Sequence, residues 1–253
     1  MNLLNTKVIL GLYEKYQNEL LKTKSILQKF FENNFDNGFC AMLGDIEAEL
    51  TYMFIRESRP SNVVEFSPNR GYSTMWILYT LNKNNKGKLF SFDLIDESTR
   101  FIPDNLKSRW TFNIGDVKKN LDKFPKKIDY LFIDSDHSKG FCRWYTENIL
   151  DSLKDTYVSV HDIMKRHVSG NMVFGEANQI LRWLDKNNIK NYSAGTPYNI
   201  GNFKTIDKNS RKTIDDYRVK NNLNEYVVTR SQKKNKVFDP EQIQNNSMIY
   251  FKL

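Results

Sequence analysis

Cysteine is scarce in this chain, with two among 253 residues, Cys40 and Cys142. Neither shows a metal-ligand spacing, and together they build no disulfide framework, so a reducing, cytoplasmic compartment is expected. No apolar run approaches the roughly 18–20 residues of a membrane span. The segment from Met1 to Tyr13 has an apolar patch but no basic leader and no small-residue cleavage site, which argues against a signal peptide. The G-x-G-x-x-G of a dinucleotide site and the G-x-x-x-x-G-K-S/T of a P-loop are both missing. No internal repeat is present.

What is there suits a folded α/β protein. Hydrophobic residues make up 40% and aromatic residues 13%, enough for a sizeable core. The mean hydropathy of -0.62 reflects many Lys and Asn rather than a missing core. The formal charge of +8 fits two explanations. One is affinity for nucleic acid, an anionic glycan or an anionic membrane surface. The other is a general Lys/Asn bias, which the scattered lysines favour, with one denser run from Arg230 to Lys236.

Periodicity predicts a helix over 3–34, where Leu4, Val8, Leu12, Tyr16, Leu20, Leu27 and Phe30 recur at helical spacing. A second helix is expected over 44–57, with Asp45, Glu47 and Glu49 near its start, where acids suit the helix dipole. Strands then alternate with helices. Strands are expected at 62–66, 88–93, 109–114, 128–134 and 156–161, and helices at 72–82, 98–107, 117–123, 139–152 and 173–187. The polar stretch 188–223 is too long for an ordinary connection and reads as a substrate-covering insertion or a mobile loop. Residues 226–230 and 248–252 read as a terminal antiparallel pair. Near-continuous apolar strands between helices predict an α/β fold with a Rossmann-like, mostly parallel seven-stranded sheet and helices on both faces, preceded by N-terminal helices. The expected division is an N-terminal helical segment, 1–57, and a domain over 58–253. The N-terminal helices either cover the sheet or support a homo-oligomer.

In such a sheet, ligands bind beyond the carboxyl ends of the strands. Those ends are acidic here. The first strand runs into Glu65-Phe-Ser-Pro-Asn-Arg-Gly71-Tyr-Ser73, a tight loop before a helix. With one glycine, this loop suits a smaller charged group better than a pyrophosphate. Asp93 ends the second strand, where an acid can accept both hydroxyls of a ribose. Gly115-Asp116 follows the third. Asp134, Asp136 and His137 follow the fourth, and His161-Asp162 ends the fifth. The chain has three histidines, and all fall between positions 137 and 167. Two carboxylates and an imidazole at one rim can bind a divalent cation, Mg²⁺ or Mn²⁺.

The succession Val-Val-Glu-Phe-Ser-Pro-Asn-Arg-Gly-Tyr-Ser, Phe-Ser-Phe-Asp, Gly-Asp-Val, Asp-Tyr-Leu-Phe-Ile-Asp-Ser-Asp-His-Ser and Val-Ser-Val-His-Asp-Ile resembles class I S-adenosylmethionine-dependent methyltransferases. It is most similar to their small-molecule or glycan O-methyltransferase group, over about residues 41–187. The resemblance implies S-adenosylmethionine as cofactor. Glu65, Ser67, Gly71 and Ser73 would line its methionine end, Asp93 would hold the ribose and Asp116 would meet the adenine. Ser67 and Asn69 depart from the family pattern, which has glycines there. Metal-dependent relatives place an acid at the Asp134 position and an acidic or amide pair after the fifth strand, so Asp134, His161 and Asp162 are the candidate metal ligands. His161 in place of an oxygen ligand shifts preference from Mg²⁺ towards Mn²⁺. His137 stands where some relatives carry a catalytic Lys, which makes it the candidate base, with His161 as ligand or second base and Asp134 beside them.

The expected reaction is methylation of a hydroxyl on a sugar, glycan or other small molecule. Nucleic acid is the weaker alternative. No Asn/Asp-Pro-Pro-aromatic strand end of an amino-methylating enzyme is present, and neither cysteine follows a proline, as a cytosine-C5 enzyme requires. RNA ribose methylation and a non-catalytic binding protein on the same scaffold are the remaining alternatives.

Overall fold

The computed structural model describes residues 4–34, 36–163, 175–194, 210–223 and 248–253. Two helices come first, α1 (Thr6–Asn34) and α2 (Asp45–Ser58). There follow β1 (Asn62–Phe66), α3 (Tyr72–Asn84), β2 (Lys88–Asp93), α4 (Asp104–Lys107), β3 (Trp110–Ile114), β4 (Tyr130–Ile133) and α5 (Lys139–Asn148). The remainder comprises β5 (Tyr157–Val160), α6 (Gly175–Lys186), β6 (Asn191–Tyr192), α7 (Ser210–Lys220) and β7 (Ile249–Lys252).

The strands form one seven-stranded sheet in the order β3-β2-β1-β4-β5-β7-β6. Strands β1 to β5 pair in parallel, and β7 runs antiparallel between β5 and β6. Strand β1 lies between β2 and β4, so the strand order switches there, and in such sheets ligands bind beyond the carboxyl ends at the switch. Side chains along a strand alternate between faces. Val63 accordingly joins an apolar layer with α1, α2 and α3, while Val64 joins the opposite layer with α5 and α6. The sheet is thus covered on both sides, as its apolar strands require.

Helix α1 buries Ile9, Leu12, Tyr13, Tyr16, Leu20, Leu27 and Phe31 within the chain's own core. Helix α7 docks on it through an unusual contact. Buried Arg218 donates to both carboxylate oxygens of Glu49, at 2.9 and 3.1 Å, and buried Lys24 donates to Asp45 and Glu49, at 2.7 Å each. Tyr13 adds a third donor to Glu49, at 2.7 Å. Buried charges persist only when paired in this way. The stretch 188–223 therefore holds a short edge strand and a helix that braces the N-terminal pair.

Several expected elements are shorter. The helix expected over 98–107 is the single turn α4, that over 117–123 is two 3-10 turns, and α5 ends at Asn148 before another 3-10 turn. Pro103 at the start of α4 excludes the preceding residues from a continuous helix. Strand β7 has β5 and β6 as neighbours, not the expected 226–230 segment, which lies outside the described residues. Tyr192 is buried in β6. Tyr198, Phe203, His167 and the Arg230 to Lys236 run also lie outside the described residues. Among the described residues, no helix is long and apolar enough to cross a membrane.

Candidate active site

The loop after β1 is held in a backbone shape that glycine adopts most readily. Ser67 has φ 58° and Asn69 φ 49°, both left-handed, at the two positions where the expected pattern has glycines. The departure in sequence is thus no departure in backbone. Ser67 donates its N–H to Phe92 O at 2.8 Å and its hydroxyl to Ser135 Oγ at 2.8 Å, tying the loop to β2 and to the residues after β4. Gly71, at φ 84°, is required as glycine: a Cβ there would lie 3.1 Å from Ile102 Cδ1 and 3.3 Å from Ser98 Cβ. It leads into the N-terminus of α3, where backbone N–H groups are available to an anionic group.

Glu65 and Ser73 lie behind this loop. Glu65 is 0% exposed and its carboxylate accepts from Ser73 Oγ (2.6 Å), Thr74 Oγ1 (2.9 Å) and Ser91 Oγ (2.6 Å). Burial pushes its pKa up to about 7, against the lowering effect of the three hydroxyls. The cluster joins β1, α3 and β2 and fixes where the loop begins.

Asp93 ends β2 on the open edge. Its Oδ2 accepts the Asn69 N–H (3.0 Å) and its Oδ1 the Leu94 N–H (2.7 Å). Partial burial raises its pKa in spite of these bonds. Asp116 follows β3 on the same edge and accepts the Lys118 N–H at 2.9 Å. Beside the two acids, Leu94, Ile95 and Ile114 are exposed by 68%, 66% and 60%. Large aliphatic side chains left in water at the mouth of a sheet offer a bed for a flat apolar ring.

Across the strand-order switch lies a ring of carboxylates around two histidines. His161 Nδ1 is 3.0 Å from Asp134 Oδ1 and 3.6 Å from Asp162 Oδ1, while its Nε2 is 3.1 Å from Glu47 Oε2. His137 Nδ1 is 2.7 Å from Glu176 Oε2, and its Nε2 is 3.8 Å from both Asp134 Oδ1 and Asp162 Oδ2. Tyr145 donates its hydroxyl to Glu176 at 3.0 Å. Burial opposes a charged His161, yet Asp134, Glu47 and Asp162 outweigh it and hold its pKa well above the usual imidazole value. The same contest raises the pKa of His137, with Glu176 the main opponent of burial. Asp162 is held at φ 57°, a strained setting of the kind that clusters at functional sites.

The structure thus brings Asp134, His137, His161 and Asp162 together, keeps Ser67, Gly71, Asp93 and Asp116 along the same edge, and turns Glu65 and Ser73 inward. Glu47 and Glu176 escaped the sequence reading as site residues. The sole signal was an acid in the first turn of each helix, which for Glu47 helix-dipole reasoning already explained. Among the described residues, no group of three or more His, Cys, Asp or Glu side chains is placed to hold a metal ion.

Comparison with known proteins agrees with this layout. Residues 64–163 match the protein family described as a methyltransferase domain. No curated protein matches the chain. Among solved structures, an O-methyltransferase from Bacillus cereus in complex with SAH aligns at 14% identity and a TM-score of 0.53, over 67% of this chain and 83% of that one. A Klebsiella pneumoniae protein assigned as an O-methyltransferase aligns at 17% identity and a TM-score of 0.52, over 66% and 81%. A Staphylococcus aureus protein assigned as a caffeoyl-CoA O-methyltransferase aligns at 14% identity and a TM-score of 0.51, over 74% and 92%. The chain shares its fold with these solved O-methyltransferase structures, and its match to the methyltransferase-domain family spans residues 64–163.

Proposed function

We propose that the chain transfers the methyl group of S-adenosylmethionine to a hydroxyl of a small molecule, a sugar or a glycan. The observation that carries this reading is His137. Its Nδ1 is backed by Glu176 at 2.7 Å while its Nε2 faces the gap between Asp134 and Asp162. A base so oriented sits at one end of a crevice whose other end is built for a nucleoside. Asp93 has carboxylate lone pairs left for two ribose hydroxyls. Leu94, Ile95 and Ile114 form the bed for the purine, with Asp116 beside it. The Ser67–Gly71 loop and the N-terminus of α3 receive the amino acid end, and Glu65 and Ser73 hold that loop from behind.

S-adenosylmethionine supplies an electrophilic methyl; the carbon–sulfur bond breaks as the carbon–oxygen bond forms, in line. His137 takes the acceptor's proton on Nε2, and Glu176 keeps Nδ1–H in place and stabilises the imidazolium. Because the pKa of His137 is raised, a positive sulfonium bound nearby helps it to release its proton beforehand. A divalent cation, were one to bind, would be held by Asp134, His161 and Asp162 and would lower the pKa of an acceptor hydroxyl. A carboxylate-rich rim with a cation suits an acceptor bearing neighbouring hydroxyls, which is why a sugar is preferred here.

The test is methyl transfer from labelled S-adenosylmethionine to a panel of sugar nucleotides and oligosaccharides, after chelation and with Mn²⁺ or Mg²⁺ restored. Labelled methyl ethers that need the cation support the full reading. Transfer that survives exhaustive chelation removes the cation from it. Labelling of amines alone removes O-methylation.

A further inference from the structure

Tyr145 lies inside α5, buried, and is joined to His137 through a single carboxylate. Its hydroxyl donates to Glu176 Oε1 at 3.0 Å, and the other oxygen of that group, Oε2, meets His137 Nδ1 at 2.7 Å. Glu176 is buried as well. The two oxygens of one carboxylate are thus divided between a phenol and an imidazole. The main chain repeats the link, because the Glu176 N–H donates to the His137 carbonyl at 3.2 Å. Helix α6 comes this close because its first residue is Gly175. A Cβ there would lie 2.9 Å from Lys139 Cβ and 3.3 Å from Lys139 N, at the start of α5. Side chain and main chain together seat α6 against the turn that carries His137.

The terminal torsion of a glutamate is soft, so one bond to Oε2 does not fix the carboxylate plane. A buried acceptor left without its donor costs about 1–3 kcal/mol. The Tyr145 hydroxyl meets both demands: it occupies Oε1 and sets the plane in which Oε2 meets the ring. The ring is then turned with Nε2 towards Asp134 and Asp162, at 3.8 Å from each. Burial raises the pKa of Glu176, and the bonds from His137 and Tyr145 oppose that rise. We propose that Tyr145 is a positioning residue: through Glu176 it holds the His137 ring with Nδ1–H inward and Nε2 towards the gap between Asp134 and Asp162. This rests on the reading of His137 as the base and involves no cation. It extends the site from the rim of the sheet into the packed layer of α5 and α6 behind it.

The test needs neither acceptor nor turnover. The full chain, with isotope-labelled histidine, is followed by nuclear magnetic resonance; the His137 ring signals are those missing from His137→Gln. Above the titration of the ring, wild type should keep its hydrogen on Nδ1, and that N–H should exchange slowly with solvent. Tyr145→Phe keeps the aromatic packing and removes the hydroxyl alone. It should speed exchange of the His137 Nδ1–H by about 10-fold or more, the equivalent of one hydrogen bond to a charged group, with amide protection across α5 and α6 unchanged. In a Glu176→Ala background, Tyr145→Phe should have no further effect. Wild-type exchange of the ring N–H in Tyr145→Phe overturns the proposal. So does an equal acceleration in the Glu176→Ala background, or a matching loss of amide protection in both helices, which is what a merely structural role would give. A wild-type ring with its hydrogen on Nε2 overturns both this proposal and the orientation of the base. Full methyl transfer by His137→Gln, with the ring signals as expected, overturns His137 as base and leaves the hydrogen-bonded relay standing.

Discussion

Replacing Glu65 by Gln isolates the effect of one buried carboxyl. Glu65 is 0% exposed, and burial moves its pKa from 4.5 to about 7. A displacement of this size corresponds to about 3 kcal/mol. The sign follows from linkage. The folded state holds the Glu65 proton to higher pH than the unfolded chain does. The contribution is therefore fully present below pH 4.5 and is lost as the pH rises towards about 7. Gln has the same shape, can accept from the hydroxyls on one side with its amide oxygen and donate its N–H to a hydroxyl oxygen on the other, and does not titrate. The assay is urea denaturation of both proteins at several pH values from 5 to 8. The stability difference between Glu65→Gln and wild type should swing by most of about 3 kcal/mol in favour of the variant as pH rises across this range. Parallel pH profiles would refute the reasoning, because they would mean that Glu65 is ionised in the fold from the start.

Other outcomes follow from the same geometry. His137→Gln should lower kcat by about 10²–10⁴-fold and leave S-adenosylmethionine affinity unchanged, as read by single-turnover kinetics and calorimetry. With His137 as the proposed base, wild-type kcat/KM should rise with pH through a value above the ordinary 6.5 of imidazole, because its pKa is raised; a pH–rate profile of Glu176→Gln should show that limb moved to lower pH. Arg218→Ala leaves Glu49 buried with Lys24 as its remaining cation and should destabilise the fold by about 3–5 kcal/mol in denaturant unfolding. Gly71→Ala forces a side chain into a left-handed backbone against Ile102 and should cost about 1–2 kcal/mol of stability together with cofactor affinity.

The parallel sheet was legible because its strands are apolar on both faces and because each ends in an acid. That placed Asp93, Asp116, Asp134 and Asp162 on one edge without knowledge of any contact. The helix expected over 98–107 was overread: its acids and apolar residues have helical spacing, but Pro103 confines the regular turn to the residues after it. Strand β6 was invisible, since two residues carry no alternation and depend on β7 for pairing. Helix α7 was hidden by its polar composition, because its anchor is a buried Arg218 matched by Glu49, 169 residues away. Glu47 and Glu176 were missed for the same reason. Their partners are 114 and 39 residues distant, and an acid at a helix start already has a local explanation. Glu65 was placed correctly on its strand, but the three hydroxyls that enclose it come from neighbouring elements, and their convergence depends on the packing of α3 over β1 and β2.

The central claim is that the acidic ends of successive strands, with the loop before α3, form a nucleoside site facing His137. Calorimetric titration of wild type and Asp93→Ala with S-adenosylmethionine tests it most directly. The account predicts one site per chain in wild type and at least a 10-fold weaker site in Asp93→Ala, the loss expected for charge-assisted bonds to two hydroxyls. No binding to the wild-type chain, or equal binding by both proteins, would contradict it.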